Sequence, residues 1–346
     1  MQRLTAIVGT FGHRVVSEDP PPPVGLQKGQ LVKDARLKRD RALGRAIALR
    51  ATAISVMLLV SASVRVAHAA APDPVRDTTA AKAEDDSLRG RSGKLRAVLV
   101  PRSERRAGVL ERMFGDSLLR TPGVHAVHDS ASGLSLALIT MRDFAEKLGG
   151  KIGQYRMGFW PGERRKLLAT TYANPEGFIE VTPENADTHV SEHFRLRDFL
   201  THDQSDVWPK YLVLRAPLVD KLELVISQLE ARGTPVRHMS VMSGFRTPQY
   251  NARGGERSGR SRVSRHMYGD AADVFVDNDG DGRMDDLNRD GRIDSRDAKV
   301  ILEAVEQVER AHGDLAGGVG VYRATRAHGP FAHVDVRGTP ARWGRR

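Results

Sequence analysis

The stretch SRHMYGDAADVFV, residues 264–276, decides the fold of this chain. Its last five residues, ADVFV, are mostly apolar and predict a strand. Ahead of that strand, His266 and Asp273 bracket Gly269 and the small pair Ala271-Ala272. Small side chains there let the backbone pack closely while two ligand-type side chains converge. A buried strand with polar side chains at its start is therefore the first expectation.

Helical and extended patterns lie on both sides of this stretch. Apolar residues recur at helical spacing in LVDKLELVISQLEARG (218–233), where Gly233 is a plausible C-cap, and a second helix is predicted over 295–313, with Ser295 as a possible N-cap. Strands are predicted in VRHMSVMSGF (236–245), GVGVY (318–322) and FAHVDV (331–336). Helices followed by antiparallel strands indicate an α+β domain, with an antiparallel sheet and flanking helices.

Histidine and carboxylate side chains supply the candidate metal ligands, because the chain has no cysteine. That absence excludes a disulfide scaffold and any cysteine-ligated zinc or iron–sulfur site. His333 lies in the last predicted strand, with Asp335 two residues on and so on the same face. Each of these residues alone is more often structural. Together, His266, Asp273 and His333 match a zinc ligand set that leaves a fourth position open for water, which suits hydrolysis.

Three motifs in order resemble the M15-type zinc D-Ala-D-Ala peptidases of peptidoglycan metabolism: SGFRTPQYN (243–251), SRHMYGDAAD (264–273) and GPFAHVDVRG (329–338). The last is similar to the murein peptidase subfamily that ends in Phe-x-His-x-Asp. The resemblance covers roughly residues 190–346. It implies a Hedgehog/DD-peptidase-like fold with zinc on His266, Asp273 and His333. It also implies that Arg246 binds the substrate carbonyl and the developing oxyanion, and it suggests peptide contacts at Ser264, Tyr250 and Asn251.

The general base is where the chain departs from this family. Many M15-type enzymes carry a glutamate shortly before the last histidine ligand, but residues 329–332 are Gly-Pro-Phe-Ala. Asp335 and His328 are the remaining candidates. Asp335 would either take a proton from the attacking water or orient the His333 ring, whereas His328 lies in a loop that could swing over the metal. Asp335 is preferred narrowly.

An Asp-rich insert, DNDGDGRMDDLNRDGRIDSRD (277–297), follows the strand that carries Asp273. Read from its tenth residue, it resembles a dockerin-like EF-hand calcium loop with Gly291 at the turn and ligand positions at Asp286, Asn288, Asp290, Arg292, Asp294 and Asp297. A second reading uses Asp277, Asp279, Asp281 and Asp285, but its twelfth position is Asn288, which the first loop already uses. One Ca²⁺ site is predicted, with a partial second one possible. The alternative is a solvated acidic hairpin.

Residues 94–187 predict a small, β-rich α+β module ahead of the peptidase-like domain (188–346). Extended runs occur at 95–101, 133–141, 151–161 and 177–183, separated by turn residues. The aromatic residues of this region either line a binding groove or, more commonly, form a core: Tyr155, Phe159, Trp160, Tyr172 and Phe178. Residues 70–93 have the composition of a flexible linker.

Residues 1–69 have the pattern of an export signal. A basic run over 33–50 precedes the apolar segment ATAISVMLLVSASV (51–64), and Ala67-His68-Ala69 has the form of a signal peptidase site. The apolar segment has 14 residues, whereas crossing a bilayer takes about 20. An uncleaved membrane anchor is the alternative, and Arg65 disfavours it. We therefore expect a periplasmic, envelope-associated or secreted protein with no stable membrane insertion after cleavage.

Most of the net positive charge of the chain lies in this leader. The formal net charge is +11, and residues 1–69 contribute 11 basic and four acidic residues of the total. The remainder, with 43 basic and 39 acidic residues, carries +4. Its basicity therefore does not indicate nucleic acid, and a mildly basic surface suits an anionic envelope polymer such as peptidoglycan.

The expected function is that of an exported, monomeric zinc metallopeptidase, a D,D-carboxypeptidase or endopeptidase that hydrolyses peptidoglycan stem peptides or cross-links. The missing glutamate leaves one alternative from another class open, which is a non-catalytic, metal-containing module that binds peptidoglycan.

Overall fold

The computed structural model describes residues 90–91, 93, 97–100, 110–111, 114–129, 134–164, 170–254 and 261–344. All of them belong to one compact unit, Val75–Arg346. The predicted export signal, residues 1–69, and most of the predicted linker lie outside the described residues. Within the described part of the chain, no helix combines the length and apolar character needed to cross a membrane.

Strands outnumber α-helices among the described residues. The strands are β1 Val98–Val100, β2 Gly123–Asp129, β3 Leu134–Thr140, β4 Arg142–Asp143, β5 Lys151–Ile152, β6 Tyr155–Arg156, β7 Gly177–Val181, β8 Lys210–Leu212, β9 Met239–Ser243, β10 Ala271–Val276, β11 Gly318–Tyr322, β12 Phe331–Asp335 and β13 Ala341–Trp343. The α-helices are α1 Asp116–Arg120, α2 Pro161–Arg164, α3 Ala216–Ala231, α4 Pro248–Gly254 and α5 Ser295–Ala311. Short 3-10 helices include Leu196–Phe199 and Arg265–Tyr268.

A five-stranded sheet forms the centre of the C-terminal part, in the order β13-β11-β12-β10-β9. Its neighbours are antiparallel, except for the parallel pair β11 and β13. Alternate side chains of β10 and β12 point into the core, among them Ala272, Val274 and Val334. The fold is α+β with an antiparallel sheet, as the sequence predicts.

Two long helices lie against the core face of this sheet. Helix α5 presents Ile301 and Val305, both fully buried, at the spacing that its sequence predicts. Helix α3 adds the fully buried Lys221, whose Nζ donates to the Asp335 carbonyl oxygen at 2.7 Å and lies 2.6 Å from a carboxylate oxygen of Glu309 on α5. This lysine joins both helices to the end of β12.

The beginning of α5 corrects one detail of the sequence-based expectation. Asp294, not Ser295, occupies the N-cap, and its carboxylate accepts the main-chain N–H of Arg296 at 2.7 Å. Asp297 completes a capping box by accepting the Asp294 N–H at 2.7 Å. A carboxylate at the cap also interacts favourably with the helix dipole, which explains why aspartate takes this position.

The N-terminal part contributes smaller sheets, in the orders β1-β3-β2 and β4-β7-β8. The extended runs predicted there contain β1, β3, β5, β6 and β7. Most of its predicted aromatic residues belong to the core and do not line a groove, since Tyr155, Trp160 and Phe178 are buried. Phe159 is exposed, and Tyr172 is half-buried on the wall of a cavity described below.

One hydrophobic core extends across the predicted domain boundary near Asp187. It includes Phe178 on one side and Phe194 on the other. The indole N–H of Trp160 donates to the Met267 carbonyl oxygen at 2.8 Å, and so connects the N-terminal part to the segment that carries His266. A division at Asp187 stays a prediction, but the side chains of both parts pack together.

Candidate metal centre

The segment Arg265–Tyr268 presents His266 to the sheet. It ends at Gly269, which has φ +66°, and a Cβ there would lie 2.3 Å from the Val213 carbonyl oxygen. Only glycine satisfies both the left-handed conformation and this close approach. Beside it, the buried Arg265 donates from Nε to Asp270 Oδ1 at 3.0 Å. This buried ion pair and the glycine hold the backbone around His266 in place.

Strand pairing brings the other two candidate ligands together. Asp273 of β10 lies directly opposite His333 of β12 in the antiparallel register, so their side chains project from the same face of the sheet. That face is opposite to the one covered by α3 and α5. Sequence spacing predicts which face of its own strand each residue occupies. The register between β10 and β12 determines that the side chains of Asp273 and His333 meet.

Three ligand-type atoms converge at this point. His266 Nε2 lies 3.2 Å from His333 Nδ1 and 3.3 Å from Asp273 Oδ1. His333 Nδ1 lies 2.9 Å from Asp273 Oδ1. All three residues are buried. The sequence-predicted ligand set is therefore assembled in space as one cluster.

The remaining ring nitrogens fix which atoms face the cluster. His266 Nδ1 lies 2.7 Å from the Gly244 carbonyl oxygen, which can only accept, so Nδ1 carries the proton. His333 Nε2 lies 3.1 Å from Asp335 Oδ2, and an ionised carboxylate also only accepts. With Nδ1–H of His266 on Gly244 and Nε2–H of His333 on Asp335, the two neutral imidazoles would turn their lone pairs towards a metal bound at the cluster, which is the role that partners outside a metal site have for its histidines.

The spacing of these atoms fits a zinc ion. With zinc–ligand bonds of about 2.0–2.1 Å and tetrahedral angles, neighbouring ligand atoms lie roughly 3.3 Å apart. The three separations are 2.9, 3.2 and 3.3 Å. The residues present could thus hold such an ion with little movement of their side chains.

The protonation states of Asp273 and His266 also suit a metal. Burial acts to raise the pKa of Asp273, but the neighbouring His266 and His333 outweigh it and hold that pKa well below its ordinary value. Burial lowers the pKa of His266. For His333, burial has the same effect, but the carboxylates of Asp273 and Asp335 outweigh it and raise the pKa. Asp273 is thus a carboxylate and His266 a neutral imidazole near pH 7, as metal ligation requires.

The cluster lies on the wall of a cavity of about 850 Å³. Arg246, Tyr250 and Ser264, three of the predicted substrate contacts, also line this cavity. Arg246 donates from Nε to Ser243 Oγ at 2.8 Å and from Nη2 to the second oxygen of Asp273. Its guanidinium is thereby fixed beside the cluster. The fourth predicted contact, Asn251, is buried and donates its amide to the Ser261 carbonyl oxygen at 2.9 Å, so it holds the cavity wall.

Asp335 and His328, the two candidate bases, occupy different places. Asp335 is fully buried behind His333, and its Oδ1 accepts the main-chain N–H of Gly318 at 2.7 Å and Nε of Arg337 at 2.9 Å. Burial opposes ionisation, but His333 and Arg337 outweigh it and lower the pKa of Asp335 far below its usual range. This environment favours orientation of His333 over proton transfer, contrary to our narrow preference. His328 borders the cavity.

Several cavity residues are not expected from the motifs. Trp343 of β13 places its ring 5.2 Å from that of His333 and donates from Nε1 to the Tyr322 hydroxyl at 2.9 Å. Tyr172 and His202 also line the cavity. These residues come from four separate segments, and no local spacing connects them to a ligand motif. Only the aromatic character of Tyr172 had marked it as a candidate groove residue.

The Asp-rich insert forms two similar turns, nine residues apart. Gly282 donates its N–H to Asp277 Oδ2 at 3.1 Å, and Gly291 donates its own to Asp286 Oδ2 at 2.7 Å. In the first turn, carboxylate oxygens of Asp277, Asp279 and Asp285 lie within 4.8 Å of one another. The sequence instead favours the second loop as the calcium site. The predicted ligands of the second loop also accept main-chain N–H groups: Asn288 from Asp290, Asp290 from Arg292, and Asp297 from Leu287.

Comparisons with known proteins report little. No protein-family model matches the chain, and no curated protein matches it. Among solved structures, it is similar to the crystal structure of Serratia marcescens L-Ala D-Glu endopeptidase ChiX. That match has 23% sequence identity, covers 37% of this chain and 85% of that chain, and has a TM-score of 0.24. A structural likeness of this size supports no conclusion about activity.

Proposed function

We propose that this chain is an exported zinc metallopeptidase that hydrolyses peptide bonds in peptidoglycan. The observation that carries the proposal is the convergence of two imidazole nitrogens and one carboxylate oxygen within 3.3 Å of one another, beside an open cavity. A zinc ion held there would polarise an amide carbonyl as a Lewis acid and would lower the pKa of water towards neutral pH. The residue motifs support peptidoglycan peptides as the substrate.

The protein's own groups would bind the peptide and move protons. Arg246, held by Ser243 and Asp273, presents a fixed guanidinium to charge that develops on the carbonyl oxygen. His328 borders the cavity with its imidazole ring and would accept and return a proton. Asp335 would keep His333 in the tautomer that turns Nδ1 to the centre.

The test combines metal analysis with cleavage. Purified full-length protein should hold about one zinc ion per chain, because the ligand set accommodates one, and should cleave stem peptides or muropeptide cross-links. His266→Ala and Asp273→Ala should lose both zinc and cleavage. His312→Ala, which removes a histidine at the end of α5, is the control and should keep both. Zinc-free protein that cleaves as well as the zinc form would contradict the proposal.

A second candidate function is a metal-containing module that binds peptidoglycan without cleaving it. The observation that favours it is that the described lining of the cavity contains no glutamate, the residue that commonly serves as base in M15-type enzymes. Under this alternative the wild type holds zinc and binds muropeptides but releases no product from any stem or cross-link substrate.

We also propose that the insert over 277–297 binds calcium and stabilises the fold. The first turn supports this with three converging carboxylates. A ligand at a hundred times its dissociation constant stabilises a protein by about 2.7 kcal/mol, so saturating Ca²⁺ should raise Tm measurably with zinc retained. Asp277→Asn should abolish this shift if the first turn holds the ion, and Asp286→Asn if the second does. An unchanged Tm for wild type with and without Ca²⁺ would contradict it.

A further inference from the structure

A second cavity, of about 380 Å³, lies beside the candidate metal centre. Its floor is the edge strand β9 together with Phe275, whose position in β10 shares the sheet face of Asp273. The insert closes one side with Gly282, Arg283 and Met284. The loop before β12 closes another side with Ala327, His328, Gly329 and Pro330.

The two cavities are adjacent, and we call them together the groove. Four residues line both of them: His202, Met242, Ala327 and His328. A peptide whose scissile bond lies at the His266, Asp273 and His333 cluster would therefore bring its neighbouring residues close to the second cavity. The second cavity has the position of a subsite for residues next to that bond.

The lining of the second cavity has a definite chemistry. The half-buried Val241, Met242 and Phe275 provide apolar surface for the aliphatic part of a peptide, whereas Met239 belongs to the main core. Around this apolar surface, Arg283 offers guanidinium donors and His238 a ring that can donate. The acidic residue of this lining is Asp198, whose Oδ2 already accepts the main-chain N–H of Arg195 at 2.7 Å. The groove thus offers mostly donors, which suits a ligand with an anionic acceptor.

We propose that this second cavity is a specificity subsite that binds a side-chain carboxylate of the substrate peptide through Arg283. The inference rests on the proposed peptidase function and adds the feature of the substrate that is recognised. Arginine suits this role because its planar guanidinium matches a carboxylate with two parallel hydrogen bonds.

Through Arg283, the insert would take part in binding the substrate. It belongs to the first turn, where its main-chain N–H donates to Asp281 Oδ1 at 2.8 Å. The next residue, Met284, is buried in the main core and anchors the turn against the sheet. The backbone of Arg283 is therefore held from both sides while its side chain remains exposed on the groove.

The experiment compares two peptides and three proteins. The peptides are a stem tetrapeptide with free side-chain carboxylates and the same tetrapeptide with those carboxylates amidated. The proteins are full-length wild type, Arg283→Ala and Arg237→Ala. Arg237 is the matched control, because it is also exposed and is adjacent in sequence to His238 but does not belong to the groove lining. Steady-state cleavage provides kcat and KM for each pair, and Tm confirms folding.

The expected result is a change in KM that depends on the carboxylate. Arg283→Ala should raise KM for the acidic peptide about tenfold or more, because a hydrogen bond to a charged group is lost, and should leave kcat near the wild-type value. It should not change KM for the amidated peptide. Arg237→Ala should match wild type on both, and Arg283→Lys should recover part of the loss. Equal effects of Arg283→Ala on both peptides, or none on either, would overturn the subsite.

A failure of the peptidase function is recognised separately. If wild type cleaves neither peptide, the same comparison is made by calorimetric binding to the full-length protein. Tighter binding of the acidic peptide that Arg283→Ala abolishes would support the subsite in a binding module. Equal binding of both peptides would reject it.

Discussion

Asp335 lies behind His333 and does not line the cavity of the candidate metal centre. Its carboxylate is fully buried, receives donors from Gly318 and Arg337, and contacts His333 Nε2 at 3.1 Å. Its lowered pKa makes it a poor proton acceptor. Its position instead fixes the tautomer and orientation of His333, so its contribution should appear in metal affinity.

Asp335→Asn should weaken zinc binding by roughly 10–100-fold, the usual effect of losing a carboxylate partner of a ligating histidine. Competition with a chromophoric chelator measures the affinity. The cleavage rate should recover when zinc is raised to saturation. If the variant binds zinc as tightly as wild type but stays inactive when saturated, Asp335 is the base and the positioning role is wrong.

At the scale of elements, helix α3 is tied to the segment before β8 by a buried carboxylate. Glu223 accepts the main-chain N–H of His193 at 3.0 Å, and its second oxygen lies 2.8 Å from His193 Nδ1. Burial acts to raise the pKa of Glu223, but the hydrogen bonds from His193 outweigh it and lower the pKa below its ordinary value. The ionised form is therefore the one that stabilises the fold.

This pair predicts a pH dependence of stability. Because the pKa of Glu223 is lower in the folded than in the unfolded chain, its contribution is complete above the unfolded value of about 4.3 and is lost as pH falls through the folded value. Urea unfolding should show wild type losing stability between about pH 5 and pH 3 more steeply than Glu223→Gln. Glu303→Gln, which removes an exposed ion pair with Arg232, should retain the wild-type slope. Parallel slopes for wild type and Glu223→Gln would contradict the assignment.

At the scale of the whole molecule, the N-terminal part supports the candidate centre. Trp160 is fully buried, packs at a tilt against Phe178 with ring centroids 5.8 Å apart, and donates to the carbonyl of Met267, one residue after His266. The core that contains Trp160 also contains side chains of α3, α5 and the five-stranded sheet. Residues before and after Asp187 should therefore unfold together.

Calorimetry should show one transition for the described unit, with calorimetric and van't Hoff enthalpies in agreement. Trp160→Phe removes the hydrogen bond to Met267 and leaves part of the ring's volume empty, so it should destabilise the protein by about 1–3 kcal/mol. The loss should lower the single transition as a whole. Two separate transitions, of which Trp160→Phe shifts only one, would show that the parts fold independently.

Periodicity and motif order account for much of this protein. They predict α3, α5 and the strands that carry Asp273 and His333, because the 3.6- and two-residue repeats of apolar side chains are local properties. They also select the three clustered ligand-type residues, since histidine and carboxylate are the metal-binding types available without cysteine. The spacing within the insert likewise predicts its turns.

Contacts between distant segments decide the rest. The β10–β12 register places Asp273 opposite His333, and only packing shows that Asp335 lies behind that ring instead of at the cavity. The same holds for the groove, where the insert brings Arg283 beside the edge strand β9. Neither pairing nor burial is encoded in local spacing, because both depend on how residues far apart in the chain share one core and one sheet face.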